Sequence, residues 1–246
     1  MTGALMAAAL IAGVLVAGWL AFAGAAARAQ TATDAAAPVM LILGDSLSAA
    51  YGMPLDQGWV ALLQRRLDAI GARWRVVNAS ISGDTTAGGL SRLPELLAEH
   101  RPALVVIELG ANDGLRGFTP AQIAGNLERL IALVRESGRE FGEDVGDDAG
   151  SASERAPPQV LLLGVPLPPN YGQAYTERFQ RMVAEVATST GVALVPGMLD
   201  GVADRPDLMQ ADGLHPLAAA QPLILENIWA VLGPMLKETV VEATAD

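Results

Sequence analysis

The chain has 246 residues, 51% of them hydrophobic, and a formal net charge of −11. That length and apolar content suit one α/β domain with a sizeable core, and the negative charge argues against nucleic acid, whose phosphates call for basic patches. With no Cys, a single lysine (Lys237) and two histidines (His100 and His215), thiol nucleophiles, disulfides and a phosphate-loop lysine are excluded, and a zinc site of imidazoles lacks ligands.

The N-terminus reads as an export signal. Ala4 to Ala27 is an Ala-rich apolar run with no charge before Arg28, and Ala27-Arg28-Ala29 is a small-x-small pattern suited to signal peptidase. This predicts a signal peptide over 1–29, a short linker over 30–37 and a periplasmic or secreted domain over 38–238. The run is long enough to span a bilayer, so an uncleaved anchor is the alternative. Met1 to Gly3 lack the Lys or Arg that usually opens such leaders.

Short apolar runs then alternate with amphipathic segments. Val39–Leu43 predicts the first strand, leading into Gly44-Asp45-Ser46-Leu47-Ser48, and a helix follows over Trp59–Ile70. The second strand, Trp74–Asn78, runs into Ser80-Ile81-Ser82-Gly83-Asp84-Thr85, a turn and N-cap for a helix over Gly89–Glu99. The third, Leu104–Leu109, runs into Gly110-Ala111-Asn112-Asp113-Gly114, a strong turn signal. Thr119-Pro120 opens a helix to Glu136, with Gly138 just past its end. Arg139 to Pro158 has no periodicity and predicts an acidic, flexible loop insertion (139–158). The spacing of its Glu143, Asp144, Asp147 and Asp148 matches no calcium loop.

Beyond the loop come a strand over Val160–Val165, a helix over Tyr175–Thr190 and a strand over Val192–Val195. The polar turn Asp212-Gly213-Leu214-His215-Pro216, a last helix over Ala218–Leu236 and a disordered tail over 239–246 complete the chain. Continuous rather than alternating apolar strands separated by helices predict strands buried on both faces. The expected fold is a three-layer α/β/α sandwich around a doubly wound, five-stranded parallel sheet of flavodoxin-like type.

In such a sheet, ligands bind where the chain leaves the C-terminal strand ends. Four Gly-containing polar turns converge there, and each alone is explained as a turn or helix cap. Together they supply the parts of an acyl-transfer site. A serine hydroxyl needs a base within hydrogen-bond reach, and His215 is the only histidine on that edge, because His100 precedes the third strand. Asp212 can accept the other ring N–H of His215. The Ser46 and Gly83 backbone N–H groups and the Asn112 amide can bind the oxyanion.

Gly44-Asp45-Ser46, Gly83, Gly-Ala-Asn112-Asp and Asp212-x-x-His215 resemble the four blocks of the GDSL, or SGNH, hydrolases. The likeness is closest to the periplasmic bacterial thioesterase I/lysophospholipase/arylesterase branch. The resemblance implies Ser46 as nucleophile, Asp212 and His215 as its base pair, and Ser46, Gly83 and Asn112 as oxyanion donors. It also implies no cofactor and no metal. The substrates expected are acyl esters, thioesters or lysophospholipids, met by a monomer with no stable membrane insertion once the leader is removed. Ala111 stands where that branch often has another glycine. Two other readings share parts of this pattern. One is an acyl transferase or deacetylase acting on a polysaccharide, with identical catalytic parts; the other is a phosphate- or nucleotide-binding flavodoxin-like module. The second finds no basic side chain in the Ser46, Gly83 or Asn112 blocks, Arg116 being nearest.

Overall fold

A computed structural model describes residues 37–143 and 156–242. The proposed signal peptide, the linker up to residue 36 and the chain end beyond residue 242 lie outside the described residues, whereas residues 239–242 of the expected tail are helical, continuing the last helix past Leu236 to Glu242. The described residues from Pro38 onward form one compact unit.

Five strands build the sheet: β1 (Val39–Gly44), β2 (Arg75–Asn78), β3 (Leu104–Glu108), β4 (Gln159–Leu163) and β5 (Ala193–Val195). They lie in the order β2-β1-β3-β4-β5, and every pair is parallel. All six residues of β1 are buried, because successive side chains enter two different cores. Met40 and Ile42 join Trp59, Leu63 and Leu67 of α1 (Trp59–Ala69) and Ile224, Ile228 and Leu232 of α6 (Gln221–Glu242). Leu41 and Leu43 join the other face, covered by α2 (Thr86–His100), α4 (Pro120–Glu143) and α5 (Gln173–Thr190). Each such fully buried aliphatic side chain contributes about 1.5–3 kcal/mol, which makes a strand buried on both faces the anchor of the fold. Among the described residues no helix is long and apolar enough to cross a membrane.

The sheet order fixes where a site can form. From β1 the chain passes to β2 on one side, whereas β3 pairs with β1 on the other. The helices that leave these strands diverge to opposite faces and open a crevice at the C-terminal ends of β1 and β3. Gly44 is paired with Glu108 at that end, so the turn after β1 starts beside the last residue of β3.

The structure corrects three further boundaries. The helix expected to stop at Glu136 runs on as α4 through Gly138 to Glu143, so the first five residues of the expected loop are helical. A glycine inside a helix costs only about 1 kcal/mol. Here it fits packing rather than termination, since a Cβ at Gly138 would stand 2.7 Å from Pro157 Cα. Residues 144–155, the acidic centre of that loop, lie outside the described residues. Secondly, Ala111–Leu115, expected as a turn, is a short helix, α3, entered through Gly110 at φ +113°. Thirdly, α2 begins at Thr86, a turn before Gly89. The Thr85 hydroxyl caps it by accepting from Gly88 N at 3.1 Å, and the Asp113 carboxylate accepts from Thr86 N (2.9 Å) and Thr86 Oγ1 (2.6 Å).

Candidate active site

The turn after β1 is pinned from below. Glu108 Oε2 accepts hydrogen bonds from Asp45 N (3.1 Å) and Ser48 Oγ (2.8 Å), and Asp45 Oδ1 accepts from Leu47 N at 3.0 Å. Gly44 permits this closeness: a Cβ there would lie 2.8 Å from Ser48 Oγ and 2.9 Å from Glu108 Oε2. With its neighbours held, Ser46 stands half-buried at the mouth of the crevice.

The segment carrying His215 is braced separately. Met209 and Pro216 form an antiparallel bridge, closed by Gln210 N to His215 O and Leu217 N to Leu208 O, both 2.7 Å. The Gln210 side chain then donates to Tyr51 O at 2.9 Å, tying this segment to the turn after β1. The result sets His215 Nε2 2.8 Å from Ser46 Oγ and His215 Nδ1 2.7 Å from Asp212 Oδ2. The Tyr51 ring packs on the imidazole, centroids 4.4 Å apart.

The hydrogen bonds assign the tautomer. Asp212 Oδ1 accepts from Leu214 N (2.9 Å) and His215 N (3.0 Å). Burial alone would raise this carboxyl, but the His215 ring and these two backbone donors outweigh it and hold the pKa at about 2. An ionised carboxylate only accepts, so Nδ1 carries the hydrogen and the Nε2 lone pair faces the Ser46 hydroxyl. That arrangement can take a proton from Ser46 and return it to a leaving group.

Asn112, in the first turn of α3, donates one amide hydrogen to Asp45 Oδ2 at 2.8 Å, which leaves its second amide hydrogen for a ligand. Asp45 is buried, and burial raises its carboxyl to about 6 against the pull of Leu47 N, Glu108, the His215 charge and Asn112. Among the described residues no intramolecular acceptor takes the Ser46 or Gly83 N–H. Gly83 sits at φ +81°, where L side chains are strained, and the Arg116 guanidinium donates to its carbonyl at 3.1 Å. It is exposed, on a loop joined to the first turn by Ile81 N to Gly44 O at 3.0 Å. A cavity of about 280 Å³ opens beside Ser46, Asn112 and His215, walled by apolar side chains that include Leu115, Leu167, Leu199, Met209 and Leu214. Gly83 does not line it.

Ser46, Asp212, His215 and Asn112 therefore meet at one place, with Gly83 on the adjoining loop. His100 closes α2 at the opposite edge of the sheet, beside Glu99 at 3.8 Å. No group of three His, Cys, Asp or Glu side chains is placed to hold a metal among the described residues. Four residues that brace the site receive no role in the sequence reading: Asp45, Tyr51, Gln210 and Glu108. Asp45 stands in the Gly44-Asp45-Ser46 block, and Glu108 leaves a signal as a carboxyl at the end of an otherwise apolar strand. Tyr51 and Gln210 act through contacts more than 150 positions apart in the chain.

The chain belongs to the GDSL-like lipase/acylhydrolase family, whose profile matches residues 42–222, and it is a GDSL-type hydrolase of ester and thioester bonds. Esterase TesA of Pseudomonas aeruginosa is 54% identical over 202 residues, 82% of this chain and 91% of that protein. Thioesterase 1/protease 1/lysophospholipase L1 of Escherichia coli is 41% identical over 202 residues, 82% of this chain and 86% of that protein. The crystal structure of AlinE4, an SGNH-hydrolase family esterase, matches with TM-score 0.61 and 32% identity, covering 87% of this chain and all of that one.

Proposed function

We propose that Ser46 is the nucleophile of this hydrolase, His215 its general base and acid, and Asp212 the group that orients the imidazole. The chain Ser46 Oγ, His215 Nε2, His215 Nδ1, Asp212 Oδ2, with links of 2.8 and 2.7 Å, carries this reading. Ser46 Oγ attacks the acyl carbon as its proton passes to His215 Nε2. The oxyanion takes hydrogen bonds from the Ser46 and Gly83 N–H groups and the free Asn112 amide hydrogen. Collapse expels the alcohol or thiol, which leaves with the proton from Nε2 and leaves acyl-Ser46. Water then attacks the acyl group, giving one proton to Nε2, and the acid departs as Ser46 Oγ regains that proton. None of these steps needs a metal or cofactor.

The apolar cavity beside Ser46 favours aliphatic or aryl acyl substrates, lysophospholipids among them, over polysaccharide acyl groups. The N-terminal pattern supports export, with catalysis outside the cytoplasm by the released domain. A serine-directed fluorophosphonate should add once, at Ser46, and Ser46→Ala should lose both the adduct and hydrolysis of p-nitrophenyl esters and acyl-CoA. An adduct on any other serine refutes the nucleophile assignment.

A further inference from the structure

Glu108 closes β3 with its side chain fully buried beneath the turn that carries Ser46. Its Oε2 accepts both the Asp45 N–H and the Ser48 hydroxyl, whereas Oε1, equally buried, has no partner as an acceptor. Among the described residues no salt bridge reaches it. The Asp45 charge opposes a second anion at the buried Glu108 carboxyl, so one of the two is better off carrying a proton. Asp45 already accepts from Leu47 N and from the Asn112 amide, so both its oxygens are occupied as acceptors and it is the better anion. The proton belongs on the orphan Oε1 of Glu108.

We propose that Glu108 is a positioning residue for acyl transfer. As the neutral acid it sets no second charge beside Asp45, which accepts from the Asn112 amide, while its Oε2 holds Asp45 N and the turn that presents Ser46. The inference rests on the reading of Ser46 and Asn112 as nucleophile and oxyanion donor. Burial first, and then the Asp45 charge, push the Glu108 carboxyl well above its ordinary range. The titratable groups facing this carboxyl pair are few. Asp45 lies in the turn itself, and His215 lies beyond it, its charge favouring ionised Asp45.

Two substitutions and one melting series test this. Glu108→Gln keeps the pattern, since its oxygen can accept from Asp45 N and Ser48 Oγ and the side chain stays neutral. It should hold kcat within about threefold of the wild type. Glu108→Leu removes every one of these bonds and should lower kcat by about 10²-fold, the scale of losing one oxyanion donor, with KM within about twofold. Combined with Asn112→Ala, Glu108→Leu should cost much less than it does alone, because Glu108 holds Asp45 by its N–H and Asp45 holds the Asn112 amide.

The melting series needs no activity. An unfolded glutamic acid ionises near its ordinary value while folded Glu108 keeps its proton, so above that value the unfolded state binds fewer protons. Wild-type stability therefore falls as pH rises towards the folded pKa. Glu108→Gln lacks this linkage, and its Tm should gain about 5 °C or more on the wild type between pH 4 and 8. A flat Tm difference overturns the proposal even if Glu108→Leu does not fold. So does a Glu108→Gln enzyme as impaired as Glu108→Leu, or a Glu108→Leu defect confined to KM. If Asn112→Ala leaves kcat intact, the oxyanion reading fails instead, and the melting series alone decides the Glu108 proton.

Discussion

Replacing Asp212 by Asn keeps the side-chain volume and removes one charge, which makes it the sharpest probe of the Asp212–His215 pair. In the structure Asp212 Oδ1 serves two backbone N–H donors and Oδ2 serves His215 Nδ1. An amide has one oxygen for these two duties. If the oxygen stays with the backbone donors, the NH₂ group faces Nδ1, can only donate to it, and favours the tautomer with its hydrogen on Nε2. That tautomer is no base for Ser46. Turning the amide over sets donor against donor at the backbone and loses two hydrogen bonds, about 1 kcal/mol each. A further loss comes from the imidazolium, whose Nδ1–H then meets a neutral amide oxygen and forgoes an ionic partner worth about 1.5–3 kcal/mol. Because 40% of the Asp212 side chain is exposed, water screens this term and the lower figure applies. Together these come to roughly 3.5 kcal/mol, a fall of about 10²–10³-fold in kcat. It is smaller than the ~10⁴-fold typical where such an aspartate is buried. Initial rates with p-nitrophenyl butyrate, normalised to the concentration of fluorophosphonate-reactive enzyme, would measure it. A loss below tenfold, or one carried by KM, would show that Asp212 does not select the tautomer.

Two other outcomes follow from the same geometry. Asn112→Ala should reduce kcat about 10²–10³-fold with little change in KM, since the amide acts where charge develops on the carbonyl oxygen; His100→Ala, at the far edge of the sheet, should retain nearly full activity in the same assay. Mass spectrometry of the protein recovered from the periplasm should find a chain beginning at Gln30, and an intact Met1 in the membrane fraction would establish the anchor instead.

The sequence alone determined a good deal. Val39–Leu43 and Leu104–Leu109 are continuous apolar runs, a pattern set by burial on both faces, and this was enough to predict a parallel sheet with helices on each side. The turns after β1, β2 and β3 carry Ser46, Gly83 and Asn112, and the segment following β5 carries Asp212 and His215. Their edge of the sheet was legible because right-handed crossovers send every strand the same way. Helix ends were less legible. Gly138 has the composition of a stop signal, yet α4 passes through it because the facing surface is Pro157, and no local pattern records what packs against a helix.

Tertiary structure decided how the site is held. Pairing of Gly44 with Glu108 sets a carboxyl under the Ser46 turn, and the Gln210 bridge brings the His215 segment to Tyr51 across more than 150 residues. Both depend on strand register and on side chains meeting through space, whereas local sequence governs only backbone propensity and the periodicity of burial. A motif could therefore name the candidate residues, but the hydrogen-bond partners that aim them exist only once the chain has closed.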